Sequence, residues 1–385
     1  MRVLSATELD PEQLQTDAAP PGGDGSPDPA GSTTGRKITV VRYVALALWF
    51  VGIAVWTLRD GFSVDLTQLL AIVCSGLLIS SIGKRRALRV LRDWLPFAVL
   101  LLVYDYTRGI AALLGRPTEW YFQADFDRWL FGGTDPTVWL QSQLKQATPP
   151  WWEVLVSMVY VSYYIAPYVV AGVWWLRDRT AWKQFVVRFV AMSFIGLAGF
   201  ILMPAAPPWA AAQCTAPEIA GGQSDPPCIE NAKRTPENPG ILEQRVYPKH
   251  AGAVAYVERI SNRGWDRLGL GQAKALVTEG QASVNLVAAV PSLHAATTLL
   301  ISVFLWPRVR KRWRPLLVAY PMAMAFVLVY GAEHYVFDIV LGWLVTVIVT
   351  VGEVRGRQWY LARRRRLVGA TGTRHKPLAD PDTLD

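Results

Sequence analysis

The sequence predicts an all-α protein, a polytopic membrane helix bundle of about eight spans. Three observations carry that reading. Hydrophobic residues make up 52% of the 385-residue chain and charged residues only 18%, a balance that belongs to membrane proteins. Apolar runs near 38–58, 66–83, 94–114, 152–176, 184–203, 286–306, 315–332 and 335–354 approach the roughly 20 residues that a helix needs to cross a bilayer. Stretches such as Pro96 to Val103 and Ala323 to Tyr330 are apolar on every side, and adjacent runs of that kind have no place in a soluble core. The net charge of +9 does not indicate nucleic acid. Its basic residues gather in short links between apolar runs, where membrane orientation explains them.

Taken in order, residues 1–36 carry Pro20-Pro21, Gly22-Gly23 and scattered polar residues, and bury too little to offset their chain entropy. They read as a disordered cytoplasmic tail without a signal-peptide core. Two additional spans occupy 37–92. Lys84-Arg85-Arg86, then Arg177, Arg179 and Lys183, then Arg308 to Arg314, then Arg363 to Arg366 all follow even-numbered spans. The positive-inside rule therefore puts both termini, including a basic tail over 355–385, on the cytoplasmic side of the plasma membrane. A six-span core over 93–354 remains.

Within that core, residues 116–150 are too polar to cross and too apolar for a plain loop. Phe122, Phe126, Trp129 and Leu130 recur at helical spacing opposite Asp125 and Asp127, which predicts a helix lying in the outer interface. Asp135-Pro136 opens a second short helix, with Pro in its first turn. Such a shelf either admits lipid sideways or simply anchors the chain. Segment 204–285 is extracytoplasmic in this topology, contains a candidate amphipathic helix at 251–262, and is long enough to cap a site. Cys214 and Cys228 lie there, where the compartment permits a disulfide; a reduced pair is the alternative.

The chemistry concentrates between Val290 and Gly342. His334 and Asp338 are four residues apart and share a helix face. The carboxylate can hold the proton of one imidazole nitrogen and leave the other free to attack phosphorus. His294 follows Pro291-Ser292 at a predicted helix start, whose free N–H groups favour an anion, and can protonate a departing oxygen. Two consecutive spans return the chain to the same face, so both histidines meet at one depth, where ionisable residues are functional by default. A transporter would show broken helices in repeated halves, which are not seen; a haem protein would leave Asp338 without a role.

Pro291-Ser292-Leu293-His294, and Tyr330 with His334-Tyr335, Asp338 and Gly342 at their spacing, resemble the second and third signatures of the type 2 phosphatidic acid phosphatase superfamily. Leu293 and Met203-Pro204-Ala205-Ala206-Pro207-Pro208-Trp209 are similar to its inositol phosphorylceramide synthase branch and bacterial relatives. The resemblance implies that His334 is a phosphohistidine nucleophile, Asp338 its orienter and His294 the acid and base. It implies lipid substrates, no metal and no cofactor. Phosphatase members carry an arginine six residues before the nucleophile, where this chain has Leu328. The phosphate is therefore expected on Arg108 and Ser292, with Lys249, Arg245 and Arg259 as weaker cations. Tyr330, Trp209, Asp105 and Lys249 are candidate substrate contacts. The expected activity is transfer of a phospho-headgroup between lipid or polyol substrates at the extracytoplasmic face. The alternative is a lipid phosphatase, acting on phosphatidate or a polyprenyl phosphate with water as acceptor.

Overall fold

The computed structural model describes residues 29–60, 66–83, 87–114, 116–222, 226–231, 235, 237–269, 287 and 289–372. Most of the expected N-terminal tail, the link 84–86, most of 270–286 and the end of the basic tail lie outside the described residues. The long helices are α1 (Pro29–Asp60), α2 (Leu66–Ser80), α3 (Ala87–Leu113), α6 (Trp151–Arg177), α7 (Arg179–Leu202), α8 (Leu293–Leu305), α9 (Arg314–Tyr330) and α10 (Val336–Gly372). Two short ones, α4 (Phe122–Leu130) and α5 (Pro136–Leu144), come before α6. Among the described residues, five stretches, Arg36–Trp56, Trp151–Arg177, Arg179–Leu202, Lys311–Tyr330 and Val336–Arg366, are long and apolar enough to cross a bilayer. The chain is a polytopic helical membrane protein.

Each run of apolar residues became a helix, with two departures from expectation. The run at 286–306 is helical only over Leu293–Leu305. Before Ser292 the described residues are not helical and pair with the chain after α7, Ala205 N–H donating to Val287 (2.7 Å) and Ala289 N–H to Ala205 (3.3 Å). Residues 251–262 form no amphipathic helix. Their backbone groups are claimed by side chains instead: Gln141 of α5 accepts from Glu258 N–H (2.9 Å) and donates to its carbonyl (2.7 Å). Cys214 and Cys228 are disulfide-bonded.

The main core packs α3, α7 and α8 through Trp94, Phe97, Phe185, Phe189, Leu300 and Phe304. A second cluster joins α6 to α9 through Tyr160, Val327 and Leu328, and reaches Ala295 of α8. No residue of the apolar window of α1 is buried, which leaves that helix at the periphery. Inside the bundle, Arg188 of α7 pairs with Glu353 of α10 at 2.7 Å. At apolar depth this pairing keeps either charge from standing alone.

The histidine end of the bundle is closed by the segment around Tyr256 to Gly264, held by buried charge. Glu153 at the start of α6 is fully buried and receives Arg263 in two bonds (2.9 and 2.8 Å) and Tyr330 Oη (2.7 Å). Arg263 also reaches Glu258 (3.4 Å), which pairs with the fully buried Lys145 (3.3 Å). Gly264 makes this approach possible, since a Cβ there would lie 2.2 Å from the Glu153 carbonyl oxygen. Arg263→Ala leaves Glu153 buried and uncompensated, which costs about 3–5 kcal/mol. A marked fall of the thermal unfolding midpoint in detergent is expected, with little change for the exposed Arg245→Ala.

Candidate active site

The connection from α9 to α10 is a tight turn that sets up the site. Glu333 and His334 N–H both return to the Leu328 carbonyl (2.9 and 3.3 Å), and Ala332 takes a left-handed φ of 59°, a conformation that carries strain for a residue with a Cβ. The free N–H groups that open α10 need acceptors, and two carboxylates supply them. Asp338 Oδ2 accepts from Tyr335 N–H (3.0 Å), while Asp127 of α4 accepts from Val336 (2.7 Å) and Phe337 (3.0 Å). The same Asp338 Oδ2 lies 3.4 Å from His334 Nδ1, so the imidazole is held at one nitrogen. Its Nε2 is left for chemistry.

His294 stands opposite, in the first turn of α8, with its ring 5.6 Å from that of His334. Three tyrosines of α6 enclose it: Tyr160 stacks at 5.0 Å, Tyr163 lies at 4.0 Å and Tyr164 meets it edge-on at 5.8 Å. His294 Nε2 is buried without a hydrogen-bond partner among the described residues. A polar atom in that state is costly unless a ligand meets it.

The backbones that carry the two histidines are locked together. Ser292 N–H donates to the Asp338 carbonyl (3.0 Å), and a Cβ on Gly342 would fall 2.3 Å from the Ser292 carbonyl oxygen. Leu293 sits against Gly196 of α7, where a Cβ would come within 2.6 Å of it. The larger residue at 293 thus has a matching space on the neighbouring helix.

The other expected site residues are dispersed. Ser292 caps α8 with its hydroxyl toward Ala295 N–H (3.4 Å) and is fully buried in that role. Tyr330 is fully buried on Glu153. Asp105 is half-buried on α3, and the side chain of Arg108 lies outside the described residues. Lys249 is exposed, with its N–H on the Ser142 carbonyl. Trp209 reaches the site: its N–H donates to Ala332 (3.0 Å), and its ring carries the guanidinium of Arg259 at 4.9 Å. Arg259 in turn forms two bonds with Glu333 (2.7 and 2.8 Å). Sequence reasoning passed over Glu333, although it stands beside His334. It also passed over Tyr160, Tyr163 and Tyr164, whose i, i+3, i+4 spacing marks one helix face.

Asp127 is the other surprise, because it points inward and is 1% exposed. Burial pushes its carboxyl up to about 7, helped by the nearby Asp135 and Asp338 and opposed by the two amides it caps. A folded value above the ordinary one of about 3.9 means that this contribution to stability is fully present below about pH 3.9. It is lost as the pH rises through about 7. Wild type should therefore lose thermal stability relative to Asp127→Asn across that range. Parallel midpoint curves for the two proteins would show that the residue does not titrate there.

A family model described as PAP2 superfamily matches residues 124–351, more than half of the chain. The phosphoinositol dihydroceramide synthase of Bacteroides thetaiotaomicron is 25% identical over 256 residues, which cover 64% of this chain and 71% of that protein. No solved structure matches. The match spans α4 to α10 and takes in both histidines and Asp338, and this chain belongs to the PAP2 superfamily.

Proposed function

We propose that this chain is a lipid phosphotransferase that moves a phospho-headgroup between lipid or polyol substrates through a phosphohistidine on His334, at the extracytoplasmic face. The reading is carried by two histidines facing one another at 5.6 Å, one of them backed by Asp338. In the first step His334 Nε2 attacks phosphorus and the bond to the donor's leaving oxygen breaks. His294 gives that oxygen its proton, and Asp338 holds the Nδ1 proton of His334 throughout. In the second step His294 takes the proton of the acceptor hydroxyl, whose oxygen attacks phosphorus as the bond to His334 breaks. No metal is needed in this scheme.

Two observations support a lipid acceptor over water. The tyrosines around His294 make its surroundings apolar, and the relative from Bacteroides is named for a synthase of a phosphoinositol lipid. An apolar groove of about 540 Å³ lies on the flank of α10 turned away from Asp338, lined by Trp139, Phe326, Val329, Val340 and Trp343. It has the size and lining to take an acyl chain.

The test is mass balance on the purified chain in nanodiscs, with a phosphoinositol lipid as donor, a dihydroceramide as acceptor and phosphatidic acid as the alternative substrate. Headgroup should appear on the second lipid without free inositol phosphate. His334→Ala should abolish both product and acid-labile phosphate on the protein, and His294→Ala should slow turnover by about 10²–10⁴-fold. Release of inositol phosphate from the donor, or of free phosphate from phosphatidic acid, that His334→Ala removes would assign hydrolysis instead. Turnover that survives His334→Ala would end the phosphohistidine reading.

A further inference from the structure

The phosphate in such a site needs a cation, and the position expected from the phosphatase signature is the buried Leu328. The structure offers a different one. The ion pairs of Glu258 and Arg263 pin the segment between them against α5 and α6, and the residue after Glu258 turns into the bundle. Arg259 uses Nε and Nη2 on the two oxygens of Glu333, and Ser261 Oγ donates to the same carboxylate. The Trp209 ring supports the guanidinium. Its charge acts on Tyr160 and Tyr164, two of the rings that enclose His294. Glu333 immediately precedes His334, so the guanidinium is anchored on the residue next to the proposed nucleophile.

One edge of the fork is thereby spent on Glu333. Of the donors that an arginine offers, the two on Nη1 have no acceptor among the described residues. An arginine oriented by a carboxylate, with an edge left free, is preorganised for phosphoryl oxygens. The carboxylate has a second effect, because it cancels most of the cation's field. A site of this kind tolerates the single charge of a phosphodiester far better than the double charge of a phosphomonoester.

We infer that Arg259 binds the phosphoryl oxygens of the substrate, and that Glu333 is the positioning residue that aims it and limits how much negative charge the site accepts. Its part in turnover rests on the phosphohistidine reading above; its part in binding does not. A purely structural staple between the 256–264 segment and the α9–α10 turn would use the same bonds, and the sign of one substitution separates the two. Glu333→Gln keeps the shape of the carboxylate and removes its charge. A staple so weakened loosens Arg259, whereas a charge limiter so removed strengthens the site for a dianion.

Binding of inorganic phosphate to the purified full chain in a maltoside detergent, read by equilibrium dialysis, decides the matter. Arg259→Gln should weaken binding by about tenfold or more, the loss expected for a charge-assisted hydrogen bond. Arg259→Lys should fall between that variant and wild type, and Glu333→Gln should bind phosphate more tightly than wild type. Unchanged binding in a folded Arg259→Gln, weaker binding in Glu333→Gln, or no phosphate binding by wild type overturns the inference. Where Arg259→Gln does not fold, Arg259→Lys and Glu333→Gln carry the test. If turnover survives His334→Ala while Arg259→Gln loses phosphate, the covalent mechanism falls and the anion site stands.

Discussion

The pairing of Glu153 with Arg263 is the constraint on which the histidine end of this bundle depends. A carboxylate with no exposure in an apolar bundle costs several kcal/mol unless a cation and donors meet it. Both the cation and the loop that brings it come from the connection between α7 and α8. Desolvation therefore forces that loop down onto α5 and α6, and Gly264 removes the side chain that would prevent contact. Everything that follows is geometry. With Glu258 and Arg263 fixed, Arg259 has one direction to take, and Glu333 on the α9–α10 turn lies in it. A strong electrostatic requirement remote from the chemistry so determines what stands beside His334.

The opening of α10 shows the same economy on a smaller scale. Three amides there need acceptors, and the sequence supplies two aspartates from different elements, Asp338 within the helix and Asp127 from α4. Asp338 serves twice, capping the helix and holding the imidazole of His334. The cap and the proposed orienter are one side chain, so Asp338 cannot swing away from the ring without releasing an amide. The α4 helix presents Phe122, Trp129 and Leu130 outward and Asp127 inward. The α4 helix is thus tied directly to the first turn of the helix that carries Asp338.

The parts legible in the sequence were those set by local spacing. Span positions follow from run length and all-round apolarity, and the helices α1 to α3 and α6 to α10 stand where those runs lie. His334 and Asp338 were legible as a His-x-x-x-Asp pair, although His334 stands in the turn two residues before α10 and so does not share a helix face with Asp338, and His294 because Pro-Ser before it marks a helix start; the structure brings the three together. Arg259 was only faintly legible because it falls in the stretch that reads as an amphipathic helix, where a cation belongs to the solvated face. Its burial depends on Glu153 and Lys145, more than a hundred residues earlier, and no local pattern records such a pairing. The helix expected at 251–262 failed for the same reason, since side chains from α5 satisfy its backbone. The start of α8 was misplaced because apolarity alone cannot separate a buried non-helical segment from a helix.

Water exclusion links these features to the choice of acceptor. A phosphohistidine is hydrolysed by any water that His294 can deprotonate, so a transferase has to keep that nitrogen dry until a lipid hydroxyl arrives. Here Tyr160 and Tyr163 cover the ring from α6, the backbones of Ser292 and Gly342 meet with no room for a Cβ between α8 and α10, and Arg263 ties the 256–264 segment to Glu153 at the start of α6. Loosening any one of these leaves the chemistry of the histidines intact but changes which hydroxyl reaches His294 first. In the proposed scheme the balance between transfer and hydrolysis is therefore a property of packing, and His294, His334 and Asp338 alone do not determine it.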